Sequence, residues 1–132
     1  MMGPVGDLTL TSLFAGILGI MLIALSVNVI RKRRKDMVAF GDKGDLDLRN
    51  RIRMHGNFVE YAPFAILLMG LSEVQGTPEW VLIALGTVFC VGRVRHAIGL
   101  RNSNIGLRTI GMASTFAYLI MTSLGLITHS LV

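Results

Sequence analysis

The chain has 132 residues, 52% of them hydrophobic and 16% charged, with a mean hydropathy of +0.62. A soluble domain carries about 25% charged residues and a disordered chain needs low hydrophobicity, so the composition argues against both. The net charge of +5 would suit nucleic acid, but the basic residues lie between long apolar runs, which puts a membrane first and leaves nucleic acid out.

Residues 8–30 carry no charge. As a helix they would cover roughly 35 Å, enough for a bilayer core of about 30 Å. No positive segment precedes this run and a basic cluster follows it, so it reads as a span and not as a signal peptide. Its Ser12/Gly16 and Ala15/Gly19 pairs have the spacing for close helix packing. Residues 31–35 read as a stop-transfer cluster at the lipid headgroups. Gly41-Asp42-Lys43-Gly44 predicts a turn, and Asp45 the N-cap of a second helix with Asp47 in its first turn.

The uncharged part of that helix, 61–72, is too short to cross alone. It becomes a span only if the helix begins near Asp45 and includes Arg49, Arg53, Asn57 and Glu60. Gln75-Gly76 ends it. Thr77-Pro78-Glu79 then supplies an N-cap, a first helical position and a first-turn carboxylate for a third helix, with Trp80 as an interfacial anchor. The third uncharged run, 80–92, must likewise continue past Arg93 and Arg95 to about His96. The alternative for these two segments is a re-entrant pair. Residues 101–106 form a polar connection, and 109–128 are a second long uncharged run.

All 13 Lys and Arg fall in two segments, nine within 31–53 and four within 93–108. Four spans put both segments on one side, and the positive-inside rule makes that side cytoplasmic. The expected architecture is an all-α integral membrane protein with one four-transmembrane-helix domain over 1–132. Its spans are expected at about 8–31, 46–73, 78–98 and 107–129, with N-out and C-out termini.

Charge inside a span usually faces a bundle interior or a wet cavity. At about 100° per residue, Arg49, Arg53, Asn57 and Glu60 fall within about 40° of the Arg53 direction. His55 and Tyr61 flank this stripe. Arg93 shares a face with Ala97 and Leu100, with His96 beside it and Arg95 elsewhere. Pro63 removes one helical hydrogen bond, so a kink is expected just beyond Glu60. Two readings of the stripe stay open. Glu60 pairs with Arg53 or Arg93 and pins the bundle, or the positive surplus awaits an anionic ligand from the cytoplasmic side. The lone Cys90 excludes a disulfide framework and a Cys-rich metal site, and no metal is expected. Cys90 reads as a buried small residue, the eight Met as apolar filler, and His129 as incidental.

The segment from Arg53 to Pro63 reads R-x-x-x-N-x-x-E-Y-x-P, and Gly92-Arg93-Val94-Arg95-His96 reads G-R-x-x-H. With four spans in this length, the chain resembles a small bacterial member of the membrane-associated proteins in eicosanoid and glutathione metabolism, the MAPEG family. The resemblance covers about residues 10–128. It implies a homotrimer with glutathione, as co-substrate, bound at subunit interfaces open to the cytoplasm. By that likeness Arg53, Asn57 and Glu60 hold the tripeptide, Tyr61 lines the site, and His55 and Arg93 stand beside it. Arg108 is the candidate that activates the glutathione thiol. His55 replaces a glutamine frequent in eukaryotic relatives. His96 and Leu100 stand where the leukotriene-type enzymes carry tyrosines, and Arg108 matches after a one-residue shift. The implied function is a glutathione-dependent transferase or peroxidase acting on lipophilic electrophiles from the bilayer. A non-enzymatic lipid-binding or structural protein of the same fold is the first alternative. A small multidrug exporter is the second, and Arg53 beside Glu60 opposes its cationic substrates.

Overall fold

The computed structural model describes residues 7–132, which form four helices: α1 (Thr9–Asp36), α2 (Leu46–Val74), α3 (Glu79–Arg101) and α4 (Ile105–Leu131). They run alternately up and down. α1 packs chiefly on α2, α3 chiefly on α4, and α2 also touches both α3 and α4. Helices α1, α3 and α4 are long and apolar enough to cross a membrane. α2 matches them in length at 29 residues but carries Arg49, Arg51, Arg53 and Glu60 in its first half. It runs in one piece through Pro63.

The helix ends follow local chemistry. α1 continues through the basic cluster, whose long unbranched side chains are good helix formers, to Asp36. Met37 then closes it in the left-handed conformation, φ 55°, with Arg33, Arg34 and Lys35 complementing the dipole in the last turn. Gly41 and Gly44 take positive φ in the expected turn. Asp45 caps α2 by accepting from the Leu48 N–H at 3.2 Å. Gly76, φ 86°, follows the end of α2. Thr77 is not the cap of α3. The Pro78 carbonyl accepts the first helical bonds, from Val81 and Leu82, so the helix starts one residue later than the expected pattern. Asn104 caps α4 through the Leu107 N–H at 3.1 Å.

The core draws on all four helices: Phe14 and Leu18, then Phe58, Ala62, Ala65 and Met69, then Leu82 and Phe89, then Tyr118. Phe89 and Tyr118 stack at 4.9 Å between centroids, and the Tyr118 hydroxyl donates to the Ala65 carbonyl at 2.6 Å. Glycines set how closely the helices approach. A Cβ on Gly86 would lie 2.5 Å from the Phe14 ring, and one on Gly111 would lie 2.6 Å from the Gly92 carbonyl oxygen. Gly16 and Gly19 have nothing within 4 Å, so the close packing expected of α1 is not made among the described residues of the chain.

α1 and α2 are also pinned at both ends by polar contacts. At one end the Glu73 carboxylate accepts from the backbone N–H groups of Leu10 and Thr11, both at 2.8 Å, and from the Thr11 hydroxyl. Glu73 thus caps a helix whose own N-cap, Leu8, has no side-chain acceptor. At the other end Arg51 donates to the carbonyl and side chain of Asn28 at 3.1 and 2.9 Å. Lys32 there meets Asp36, Asp45 and Asp47 at 2.7, 3.3 and 3.6 Å.

Candidate functional site

The stripe on α2 divides. The buried face of this helix is centred on Met54, Phe58, Ala62 and Ala65. Asn57, at the leading edge of the stripe, is turned toward that face by about 40° relative to Arg53. Asn57 is therefore 8% exposed, whereas Arg49, Arg53 and Glu60 are exposed. Arg49 is held by Asp42 at 2.8 Å. Arg53 and Glu60 make no hydrogen bond or ion pair among the described residues. The internal salt bridge of Glu60 with Arg53 or Arg93 is not formed, because Arg93 lies inside the subunit and Glu60 outside it.

Arg93 is the centre of a buried polar knot. It is 2% exposed and sits on α3 between α2 and α4. One terminal nitrogen donates to Asn57 Oδ1 and lies 3.1 Å from His96 Nδ1. The other donates to Thr115 Oγ1 at 3.1 Å and points at Met112 Sδ at 3.8 Å. Its Nε is buried without a partner among the described residues. No carboxylate joins this cluster among the described residues, so a buried cation rests on neutral acceptors alone. Burial of that kind is expensive, which is why every acceptor within reach is recruited.

The knot fixes the state of its neighbours. A guanidinium can only donate, so His96 Nδ1 accepts and its proton is assigned to Nε2. By the same logic Asn57 turns its oxygen toward Arg93 and keeps its NH2 group free to donate elsewhere. Thr115 accepts from Arg93 while donating to the Gly111 carbonyl at 3.1 Å, so its hydroxyl is fully used.

Tyr61 is half-buried at the rim of the knot. Its ring lies 5.9 Å from the Arg93 guanidinium and meets Phe116 edge-on at 5.9 Å. Its hydroxyl has no partner among the described residues. Arg108, in the first turns of α4, is exposed and unpaired among the described residues. It borders an open cavity of about 250 Å³ with Leu46, Asn50, Leu100 and Ser103. Arg53 and Arg108 both lie within electrostatic reach of His96. The structure therefore gathers Arg53, Asn57, Arg93, His96 and Arg108 in one basic region, with Glu60 and Tyr61 on its outer side. His55 is half-buried and makes no hydrogen bond among the described residues, and Arg95 is exposed, as expected.

Sequence reasoning missed the contribution of α4. Gly111, Thr115, Tyr118 and Thr122 are buried, and their spacing of four, three and four puts them on one face. That spacing was visible in the sequence as a small and hydroxylic stripe within an apolar helix. Glu73 was missed as well, because its partners lie more than 60 positions away.

An all-helical bundle with three helices long and apolar enough to cross a membrane and a charged fourth, packed around a buried arginine, defines an integral membrane protein with a polar cluster inside the bundle. The chain belongs to the MAPEG family, whose model matches residues 11–128. It is 36% identical over 111 residues to inner membrane protein YecN of Escherichia coli K12, covering 84% of this chain and 85% of the relative. The protein of the same name from Escherichia coli O6:H1 strain CFT073 gives the same figures. The chain is accordingly a multi-pass protein of the inner membrane.

Proposed function

We propose that the protein is a homotrimer of four-span subunits that binds glutathione at its subunit interfaces, from the cytoplasmic side, and uses it against lipophilic electrophiles. The observation that carries this reading is the pair Arg53 and Glu60. Both face outward from the bundle, four residues before and three residues after the fixed Asn57, with no partner among the described residues of their own chain. Charged groups on a lipid-facing surface are costly, so a partner outside the subunit is required. A zwitterionic tripeptide seated against a second copy of the chain supplies both charges. The basic segments 31–53 and 93–108 support a site on the cytoplasmic side, with both termini outside, by the positive-inside rule.

The residues divide the work by their chemistry. Arg53 pairs with a glutathione carboxylate in a bidentate fork, and Glu60 with its α-ammonium. Asn57, its oxygen held by Arg93, donates its free NH2 to a ligand carbonyl or carboxylate. Tyr61 offers a hydroxyl from a ring clamped between Arg93 and Phe116. Arg108, near the positive end of α4, stabilises the glutathione thiolate, which is only a minor form at neutral pH for a thiol that titrates near 8.5. The thiolate sulfur then forms a C–S bond to the electrophilic carbon as the bond from that carbon to the leaving group breaks, and the leaving group departs with the electron pair. With a hydroperoxide the thiolate sulfur attacks the terminal oxygen, the O–O bond breaks and the alkoxide leaves with the electron pair and is protonated to the alcohol; a second glutathione then reduces the resulting sulfenic acid, giving glutathione disulfide and water.

Calorimetry of glutathione binding to the detergent-purified protein tests the site. Arg53→Ala removes a charge-assisted, bidentate contact and is expected to weaken binding by about 1.5–3 kcal/mol. Absence of binding by the wild type at millimolar glutathione would refute the reading. A member of the same fold that binds lipid and performs no thiol chemistry is the second reading, because Arg108 borders an open cavity whose lining includes neither Arg53 nor Tyr61. Turnover of an electrophile that survives Arg108→Ala would remove that residue's assigned role.

A further inference from the structure

Two large apolar side chains stand out from the most basic stretch of the chain. Met37 is 87% exposed and Phe40 88% exposed, yet the loop that carries them is tied down. Arg33 donates to the carbonyls of Val38 and Gly41 at 3.4 and 2.8 Å, and the Val38 side chain is buried beneath it. Met37 itself closes α1 in the left-handed conformation. Asp42 accepts from the Gly44 N–H at 2.9 Å and from Arg49 at 2.8 Å. An ordered backbone therefore holds Met37 and Phe40 outward.

The basic residues around them fall into two groups. Lys32, Arg33, Arg49 and Arg51 are engaged by carboxylates or carbonyls of the chain itself. Arg31, Arg34, Lys35 and Lys43 are exposed and make no hydrogen bond or ion pair among the described residues. α1 starts at Thr9, so about 20 residues of helix bring it across a hydrocarbon core of about 30 Å just before Arg31. The four spare cations and the two apolar side chains thus stand at headgroup level.

We propose that Arg31, Arg34, Lys35 and Lys43, together with Met37 and Phe40, form a docking surface for anionic phospholipid. The guanidinium and ammonium groups take headgroup phosphates, and Phe40 and Met37 enter the boundary between headgroups and acyl chains. A zwitterionic headgroup brings its own cation to the same place and offers these four charges little. A soluble phosphate satisfies the cations but leaves the two apolar side chains in water. The surface depends on α1 crossing the bilayer and is independent of the glutathione reading.

The test uses the full chain with tryptophan moved into the loop, Phe40→Trp in a Trp80→Phe background. It is reconstituted in phosphatidylcholine vesicles with and without phosphatidylglycerol. The expected emission is blue-shifted, quenched by brominated lipid and protected from acrylamide, more so with phosphatidylglycerol present. Phosphatidylglycerol added to the detergent-purified wild type is expected to raise its melting temperature more than phosphatidylcholine or free glycerol phosphate. That preference is expected to shrink in Arg31→Gln/Arg34→Gln/Lys35→Gln. A water-like emission open to acrylamide overturns the proposal, as does equal stabilisation by the two lipids. Free glycerol phosphate matching phosphatidylglycerol makes the ligand a soluble phosphate and likewise overturns it. The fluorescence experiment leaves the charges intact, so it decides the question even where the triple variant fails to insert.

Discussion

Replacing Gly111 with alanine probes the seam between α3 and α4. The added Cβ would stand 2.6 Å from the Gly92 carbonyl oxygen and from the backbone nitrogen and Cβ of His96. A carbon meets a carbonyl oxygen at about 3.3–3.6 Å, so the helices must part by about 0.7 Å. Two of the obstructing atoms are backbone and cannot swing aside. A gap of about 0.5–1 Å forfeits a quarter to a half of each dispersion contact along the seam. Overpacking of this kind costs about 1–3 kcal/mol, and backbone obstruction places Gly111→Ala toward the upper end. The gain in helix propensity returns about 0.8–1.0 kcal/mol. The expected net loss is therefore about 2 kcal/mol against the overpacking scale. Gly125→Ala, in the same helix but with nothing within 4 Å, gains the propensity without the clash and is expected to be neutral or slightly stabilising. Reversible unfolding in mixed detergent and dodecyl sulfate measures both variants. Equal stabilities for the two, or a Gly111→Ala variant as stable as the wild type, would refute the reasoning. The same shift pulls Thr115 away from Arg93, so Gly111→Ala is also expected to loosen the Asn57 knot.

Other expectations follow from particular contacts. Glu73→Ala leaves the N–H groups of Leu10 and Thr11 without their charged acceptor and is expected to cost about 1–2 kcal/mol, the range of a lost N-cap; Glu73→Gln, which still accepts, is expected to cost less. Identical unfolding curves for the two variants would contradict the capping role. Tyr118→Phe removes a buried hydroxyl that donates to the Ala65 carbonyl and is expected to lose about 0.5–1.5 kcal/mol by the same unfolding assay. Asp42 is held below its ordinary value of 3.8 by Arg49 and the Gly44 N–H, and Asp45 below the same value by the Leu48 N–H and Lys32. Both are depressed carboxylates, so their stabilisation is complete above that ordinary value and fades as pH falls through their folded values. Stability measured against pH is expected to drop below about 3.8, and Asp42→Asn to flatten that drop.

Much of the frame was readable because it is written in local chemistry. Asp45, the turn at 41–44 and the Gln75-Gly76 stop act within a few residues of where they stand. The motif from Arg53 to Pro63 also identified the family before any geometry was known. What was not readable was the direction of the stripe. Arg53 and Asn57 differ by about 40° around α2, and only the placement of α3 and α4 decides which of them turns inward. Arg93 was read either as a partner of Glu60 or as part of a positive surplus awaiting an anion. Its acceptors Thr115 and Met112 lie on another helix, so spacing within α3 could not show how it is satisfied. Thr115 and Thr122 stand on a stripe the sequence shows, but their hydroxyls return to their own backbone, a habit of membrane-helix hydroxyls that carries no sign of a partner on another helix.

The cap that Glu73 places on α1 also bears on how the chain is made. Its recipients, Leu10 and Thr11, emerge from the ribosome more than 60 residues before it. Until then the first turn of α1 lacks the acceptor that its N–H groups find in the folded chain. The acceptor arrives when α2 is nearly complete, and only then can that turn take its final depth. That contact cannot form before both helices have been made, so the final setting of the start of α1 is tied to the completion of α2.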